Sequence, residues 1–160
     1  MKELDKTDKS ILNLLQDRKM CVPRTTKIAH KMQIPTTTLH SRLKNLEKTG
    51  VIKGYQAVLD PKKAGAKVTI FAVVKVVYEK VYSDEKVLSD FGSKLAAIPE
   101  VLEVHACSGD WDYLIKLKVR DTEEYRSILG NKILPLGGIE KVESAVAYWT
   151  FKEETRINVK

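Results

Sequence analysis

The 160-residue chain has few of the residues that mark disulfide-rich, disordered or membrane proteins. Its two cysteines, Cys21 and Cys107, have no zinc-type spacing, which excludes a disulfide framework and a cysteine-based zinc site. Only 8 Gly and 5 Pro occur and 43% of residues are hydrophobic, which excludes a low-complexity disordered chain. The most apolar run, residues 68–78, is too short to cross a bilayer and carries Lys75.

Targeting and cofactor motifs are also absent from the sequence. The first ten residues lack the apolar segment of a secretory signal, and no Gly-rich phosphate-binding loop occurs. We therefore expect a soluble cytoplasmic protein without a membrane partner, a cofactor or a bound metal.

Positive charge is concentrated in the N-terminal part of the chain. The formal net charge is +7, and residues 1–60 hold 12 Lys or Arg against 6 Asp or Glu. Residues 61–160 are nearly balanced, with 16 against 15. This asymmetry favours contact between the N-terminal part and a polyanion. The alternative is an ordinary lysine-rich surface.

Three helices are predicted in the first 50 residues. The first covers about residues 4–18 and is capped by Asp5, the second follows Pro23, and the third begins near Thr36 and ends at Gly50. Apolar residues repeat at helical spacing on their inward faces: Ile11, Leu12, Leu15, Ile28, Ala29, Met32, Leu39, Leu43 and Leu46. A packing helix followed by two short, closely joined helices predicts a helix-turn-helix domain over residues 1–60. Its last part, residues 51–60, is predicted to form a short hairpin or a connecting strand.

A second domain is predicted over residues 61–160, beyond a boundary at 61–67. Strands are expected near residues 68–78, 101–109, 111–121 and 142–151, and helices near 83–98 and 122–134. The order β-α-β-β-α-β is ferredoxin-like, so the chain as a whole belongs to the α+β class.

The strand at 68–78 is apolar on both faces, which one layer of two helices does not explain. An antiparallel sheet has a polar face unless that face is also covered. We therefore expect the same sheet of a second subunit to cover it in an obligate homodimer, with Val74 or Val76 facing the partner.

The outer face of the third helix carries short polar groups first and cations later. A turn of about 100° per residue directs Thr37, Ser41, Lys44 and Lys48 away from the buried leucines. A recognition helix inserts its N-terminal residues toward base edges in the major groove, while cations further along contact phosphates. The predicted DNA-binding residues are Thr36, Thr37, Thr38, His40, Ser41, Arg42, Lys44, Asn45 and Lys48. The alternative is that Thr36 caps the helix and the lysines form a solvated face.

Two segments of the chain carry a family resemblance. LHSRLKNLEKTGVIKGYQAVLDPKKAG, followed later by SGDWDYLIKLKV, resembles the Lrp/AsnC family of transcription factors over nearly the whole chain. The resemblance implies an N-terminal helix-turn-helix joined to a ferredoxin-like effector domain through which the proteins dimerise. It also implies further assembly to tetramers or octamers, and regulation by an amino acid bound between dimers.

The same resemblance implies the roles of particular residues. Arg42 matches the Arg that the family places in its recognition helix. The predicted effector-binding residues are Gly109, Asp110, Asp112 and Ser144. Val142 stands where another hydroxyl is usual in the family. Without the resemblance, the GDWD segment predicts a tight turn whose Asp residues accept hydrogen bonds from backbone amides. Trp111 and Tyr113, which alternate with Asp112, are expected to face the core.

Two other functions compete with sequence-specific regulation. His105 and Cys107 project to one side of a strand near Asp110 and Asp112, but residues at i and i+2 do not complete a zinc site. We therefore predict that the protein is not an enzyme. The second alternative is an architectural DNA-binding protein without an effector, which would gain its affinity from phosphates alone.

Overall fold

The computed structural model describes residues 5–16, 25–77, 85–157 and 159, with the side chains of 85–89 left out. The chain divides into two compact units, Met1–Val58 with Lys152–Lys160 and Leu59–Phe151. Across the described residues, every helix is too short or too polar to span a membrane.

The first unit consists of three helices around one small core. They are α1 (Lys6–Leu15), α2 (Thr25–Met32) and α3 (Thr36–Lys48). Asp5 caps α1 as predicted, since its side chain accepts hydrogen bonds from the backbone N–H groups of Thr7 and Asp8 at 2.8 and 2.9 Å. The core residues are Ile11, Leu12, Ile28, Ala29, Leu39, Leu43 and Leu46. All seven are among the inward positions that helical spacing predicted.

The turn between α2 and α3 depends on an unusual backbone conformation at Gln33. Its φ is 55°, and it is the one non-glycine residue with a positive φ among those the structure describes. The N–H of Gln33 donates to the carbonyl of His30 and that of Ile34 donates to the carbonyl of Ala29, both at 3.1 Å. The turn thus ends α2 without the glycine that such a conformation favours.

The second unit has the predicted ferredoxin-like order. Its elements are β1 (Val68–Val76), α4 (Glu85–Ala96), β2 (Val101–Ala106), β3 (Tyr113–Val119), α5 (Thr122–Ile128) and β4 (Ile139–Val146). The antiparallel sheet has the order β2-β3-β1-β4. Its core includes Phe91, Leu95, Tyr125 and Ile128 from the helices, packed on alternate residues of β1 and β3.

The predicted helix over 122–134 is divided into three parts. After α5, a wider π-type turn covers Leu129–Ile133 and a 3₁₀ turn covers Leu134–Leu136. Pro135 lies in the 3₁₀ turn and lacks the N–H that a continuing α-helix would need, so helical structure does not extend beyond this turn.

The predicted strand over 142–151 is displaced toward the N-terminus, since β4 ends at Val146. Beyond it, the N–H of Ala147 donates to the carbonyl of Thr69 at 3.0 Å, next to the first residue of β1. Because β1 offers no further partner, Tyr148, Trp149 and Phe151 are 80–98% exposed instead of continuing the sheet.

Residues 51–60 do not form the predicted hairpin or strand. No strand of the described chain pairs with this segment. It is held instead at Tyr55, whose hydroxyl donates to Oε1 of Glu47 on α3 at 2.9 Å. Desolvation, followed by this hydrogen bond and the Glu47 charge, raises the pKa of Tyr55 to about 12.

The predicted domain boundary near residue 60 lies close to the observed division after Val58, but the C-terminal end of the chain differs. Residues 152–160 pack with the first unit rather than with the second. The reason is that the C-terminal residues contact α1. The pattern of residues within the tail does not predict these contacts.

The two faces of β1 also correct an expectation. Val74 and Val76 are 0% and 1% exposed, and both face the helices because residues at i and i+2 share one side of a strand. The opposite side carries Phe71, which is 41% exposed, and the half-buried Val73. The outer side of β1 therefore carries two apolar residues, but neither valine named from the sequence lies on it.

Candidate nucleic-acid interface and effector loop

The outer face of α3 presents most of the predicted DNA-binding side chains to solvent. The exposed ones are Thr36, Thr37, His40, Ser41, Lys44, Asn45 and Lys48, whereas Thr38 and Arg42 are half-buried. The apolar residues of α3 occupy the opposite side, where Leu39, Leu43 and Leu46 are at most 5% exposed. No carboxylate of the described residues pairs with Lys44 or Lys48, so both ammonium groups stay available to an external anion.

The threonines do not cap α3. The capping position is Pro35, which forms no side-chain capping hydrogen bond, and Thr36 is the first helical residue. The alternative that Thr36 caps the helix is therefore wrong. Because Pro35 cannot satisfy the first N–H groups of α3, this end of the helix keeps polar donors beside the exposed threonine hydroxyls.

Ser41 is bound within its own helix. Its hydroxyl donates to the carbonyl of Thr38 at 3.0 Å. Because this bond uses the hydroxyl proton and Ser41 is exposed, its oxygen can act toward an external group as a hydrogen-bond acceptor rather than a donor. An acceptor suits the exocyclic amino groups of adenine and cytosine in the major groove.

Arg42 does not point outward with its predicted companions. Its Nη1 atom donates to Oδ2 of Asp5 at 2.7 Å and to Oδ1 of Asp8 at 2.9 Å. The side-chain hydrogen bond from Arg42 is the largest cause that lowers the pKa of Asp5. Arg42 thus ties α3 to the first turn of α1, which fixes the direction of the outer face of α3.

A second cationic surface lies on α2 and was not predicted from the sequence. Thr26, Lys27, His30 and Lys31 are exposed and line one shallow surface depression. They lie opposite the buried Ile28 and Ala29, at the spacing of one helix face. The helical periodicity that predicts the buried Ile28 and Ala29 therefore also indicates this exposed cationic face.

The predicted effector loop lies between β2 and β3. Ser108, Gly109 and Asp110 are exposed, and Gly109 has a φ of 111°, which favours glycine. The Asp110 carboxylate is therefore open to solvent at the tip of a turn, where it can accept hydrogen bonds from an ammonium group.

Asp112 is buried and has a structural role. Its Oδ2 accepts a hydrogen bond from the N–H of Val76 at 2.8 Å, and its own N–H donates to the carbonyl of Val74 at 3.0 Å. Its carbonyl accepts from the N–H of Cys107 at 2.8 Å, which closes the loop. These bonds match the alternative in which the carboxylate satisfies backbone amides.

Trp111 differs from the expectation that it faces the core. Tyr113 is 2% exposed as expected, but Trp111 is half-buried, because β3 begins only at Tyr113 and strand alternation does not extend back to Trp111.

The ammonium of Lys141 lies 5.4 Å from the Trp111 ring centroid. Lys141, on β4, also forms an ion pair with Glu143. Lys141 therefore places a cation beside the loop. The sequence analysis did not predict this, because no local pattern indicates that β4 lies next to this turn.

Ser144 lies apart from the loop within one chain. Its hydroxyl is hydrogen-bonded to the hydroxyl of Tyr125 on α5, whose pKa is raised by burial. In the sheet register Ser144 pairs with Ala72 on β1, whereas the Asp112 carboxylate binds the amide of Val76 on the same strand. Ala72 and Val76 are four residues apart, which is about 13 Å along β1. The structure therefore brings Gly109, Asp110 and Asp112 together but does not bring Ser144 to them.

The family of the chain follows from its sequence matches. Residues 72–157, more than half of the chain, match the family model described as the Lrp/AsnC ligand binding domain. The chain belongs to the Lrp/AsnC family. The family resemblance indicated by the sequence is thereby confirmed.

Relatives in this family match along almost the entire chain. The HTH-type transcriptional regulator FL11 of Pyrococcus horikoshii is 32% identical over 158 residues, covering 98% of this chain and 97% of that protein. The leucine-responsive regulatory protein of Haemophilus influenzae is 35% identical over 157 residues, covering 95% and 88%. Both are transcriptional regulators rather than enzymes, as the sequence predicted for this chain.

Solved structures of Lrp/AsnC proteins and their neighbours share the fold. An AsnC family transcriptional regulator from Agrobacterium tumefaciens has a TM-score of 0.85 at 30% identity, covering 96% of each chain. A transcriptional regulator from Neisseria meningitidis, solved in complex with L-Met, has a TM-score of 0.83 at 24% identity, covering 97% and 96%.

The ion pairs of Arg42 with Asp5 and Asp8 predict a pH-dependent stability of the helical unit. Because the folded pKa of Asp5 lies below its ordinary value of about 3.9, the stabilisation is complete above that value and disappears as the pH falls through the lowered one. Arg42→Met should therefore lower the melting temperature near pH 7 and change it little near pH 2.

The measurement is thermal unfolding followed by circular dichroism at both pH values. Lys44→Met is the matched control, since it removes a cation from the same helix that has no carboxylate partner among the described residues. An equal loss of stability at both pH values would contradict the role of the ion pairs.

Proposed function

We propose that the first unit binds double-stranded DNA by inserting the N-terminal half of α3 into the major groove. The observation that carries the proposal is the exposure of Thr37, Ser41, Lys44 and Lys48 on the side opposite the leucine core. The order of the side chains also supports it, with hydroxyls at the start of α3 and cations in its second half. This binding makes the protein a sequence-specific transcriptional regulator, for which we propose a cytoplasmic location.

The proposed contacts divide into two classes. Thr36, Thr37, His40 and Ser41 meet base edges, whereas Lys44, Asn45 and Lys48 meet phosphates. The cationic face of α2 supplies further phosphate contacts through Lys27 and Lys31, because the first helix of such a motif crosses the DNA backbone. In this scheme Arg42 and Thr38 are positioning residues, and the two Asp partners of Arg42 hold α3 in place.

Base and phosphate contacts predict different losses of DNA affinity. Thr37→Val and Ser41→Ala should weaken binding to a preferred site by about 1–3 kcal/mol and binding to random DNA hardly at all. Lys48→Met should weaken both equally and reduce the slope of log affinity against log salt by about one ion. Fluorescence anisotropy on both DNAs at several salt concentrations measures these effects.

The matched controls are Thr150→Val and Lys67→Met, which change exposed residues of the second unit. If Thr37 and Ser41 variants lost the same affinity on specific and on random DNA, α3 would contact the backbone alone. That outcome would favour the architectural alternative.

We further propose that the second unit binds a free amino acid at the loop between β2 and β3. The exposed Asp110 carboxylate suits the α-ammonium, and the Lys141 ammonium, held beside Trp111, suits the α-carboxylate. The named ligands of the relatives support this class, since one is leucine-responsive and one was solved with L-Met. Asp112 keeps the loop attached to β1 and acts as a positioning residue.

Asp110 and Asp112 should therefore differ in what their removal changes. Asp110→Ala should abolish amino-acid binding with little change in stability, because its carboxylate is exposed. Asp112→Ala should lower the free energy of unfolding by about 1–3 kcal/mol even without ligand, since the N–H of Val76 loses its buried acceptor.

Calorimetric titration of the twenty amino acids measures the first effect, and urea unfolding measures the second. Glu140→Ala, which removes an exposed carboxylate on β4, is the matched control. If the wild-type protein bound none of the twenty amino acids, the proposed amino-acid regulation would be refuted. The proposal of DNA binding would not be tested by that result.

We also propose a homodimer formed through the outer face of the sheet, with further assembly to a tetramer or octamer. Phe71 lies at the centre of that face, between Lys116 and Ala145 on the neighbouring strands. Tyr148, Trp149 and Phe151 extend the exposed apolar surface of the same unit. Exposed apolar surface of this kind is typical of association sites.

Higher assembly is also supported by the separation of Ser144 from the loop. Ser144 lies opposite Ala72, and the Asp112 carboxylate binds the Val76 amide about 13 Å further along β1, which favours contact of the two with one small ligand from different subunits. Two protomers related by a two-fold axis would bind half-sites separated by whole turns of DNA.

Phe71→Asp should dissociate the dimer, because it would bury a carboxylate in an apolar contact. Analytical ultracentrifugation over a concentration series measures the loss. Leu134→Asp is the matched control, since Leu134 is 49% exposed but follows α5 on the helical side of the sheet. A dimer that persisted unchanged in Phe71→Asp would place the interface elsewhere.

A further inference from the structure

The C-terminal segment of the chain binds to α1 through two side-chain amides. Gln16 Nε2 donates to the carbonyl of Ile157 at 2.9 Å, and the N–H of Ile157 donates to Gln16 Oε1 at 2.7 Å. Asn13 Nδ2 donates to the carbonyl of Val159 at 3.2 Å, and the N–H of Val159 donates to Asn13 Oδ1 at 3.4 Å. Each amide therefore pairs with both backbone groups of one residue, as a neighbouring strand would.

The spacing of the two amides matches the spacing of an extended peptide. Residues three apart on a helix, such as Asn13 and Gln16, lie about 5–6 Å apart on one face. Residues two apart on an extended chain, such as Ile157 and Val159, lie about 6.6 Å apart and present their backbone groups on the same edge. A primary amide is the side chain that offers one acceptor and a donor side by side, so this pair of residues is suited to bind backbone.

Apolar packing adds to the hydrogen bonds. Val159 is partly buried and packs against the core of α1, α2 and α3, whereas Ile157 is 72% exposed. The backbone pairing is independent of side-chain identity, so Val159 is the residue that fixes the register of the tail on the helix.

We infer that α1 carries a binding site for an extended peptide backbone, formed by Asn13 and Gln16 and occupied by Ile157 and Val159 of the same chain. The chain passes between the two units twice, after Val58 and after Phe151. Binding of the tail makes the second passage a connection between β4 and α1. The helical unit is thus attached to the second unit at two points rather than one.

This double attachment has a consequence for regulation, which rests on the proposed function. A helical unit joined by one segment is free to turn about it, and two attachments restrict that freedom. A change at β4 on effector binding would then reach α1 through the ten or so residues that join them, without passing through the segment at 51–60.

Backbone hydrogen exchange in the full-length protein, followed residue by residue by NMR, tests the docking directly. The amides of Ile157 and Val159 should exchange about tenfold or more slowly than those of Glu154 and Arg156, which bond to no side-chain amide among the described residues. Gln16→Met should release the Ile157 amide, and Asn13→Ala should release the Val159 amide. Gln16→Glu retains the acceptor and should keep the Ile157 amide partly protected.

Asn131→Ala is the matched control, because its exposed amide bonds to Ser127 in the second unit. Free-peptide exchange rates at Ile157 and Val159 in the wild type, or protection that Gln16→Met leaves intact, would overturn the inference. The readout needs no DNA and no amino acid, so its failure is distinguishable from failure of the proposed function.

The connection itself is tested by removing residues 157–160 from the full chain. The shortened protein should show faster exchange throughout α1, with β1 and β3 unchanged, and weaker DNA binding by several-fold at equal salt. Unchanged exchange in α1 would refute an attachment through the tail, whatever the DNA affinity.

Discussion

The hydrogen bonding of β1 on both of its sides is the constraint on which the second unit depends. As a central strand it pairs with β3 on one side and β4 on the other, and its inward side chains are almost fully buried. At its C-terminal end the ladder is completed by the Asp112 side chain, which accepts from the N–H of Val76. Because this carboxylate comes from the loop after β2, the strand and the proposed effector loop cannot move independently.

The helical unit has much less to hold it together. Isolated helices of eight to thirteen residues are marginal in water, so α1, α2 and α3 depend on their shared core and on specific links. Arg42 provides one link between α3 and the first turn of α1. The backbone of the C-terminal tail provides another at the far end of α1. Both act on α1, which presents no proposed DNA contact but sets the position of the helices that do.

Two of the predicted site residues have partners that lie far from them in the sequence. Arg42 was predicted to contact DNA, and its two carboxylate partners lie 37 and 34 positions away in the sequence. Asp112 was predicted to contact an effector, and its partner amide is 36 positions away. Local spacing carries no information about such distant partners. Asp110, Lys44 and Lys48 keep their predicted exposure because their surroundings are solvent.

The sequence by itself determined the three helices, the order of the strands and the exposed face of α3. Each of these follows from the alternation of apolar and polar residues along one segment, which a chain encodes locally. Only the tertiary structure decided which charged groups pair with one another, which valines of β1 lie inside, and where the last nine residues pack. These features join segments that are far apart in sequence, and their geometry exists only after the sheet and the helical core have formed.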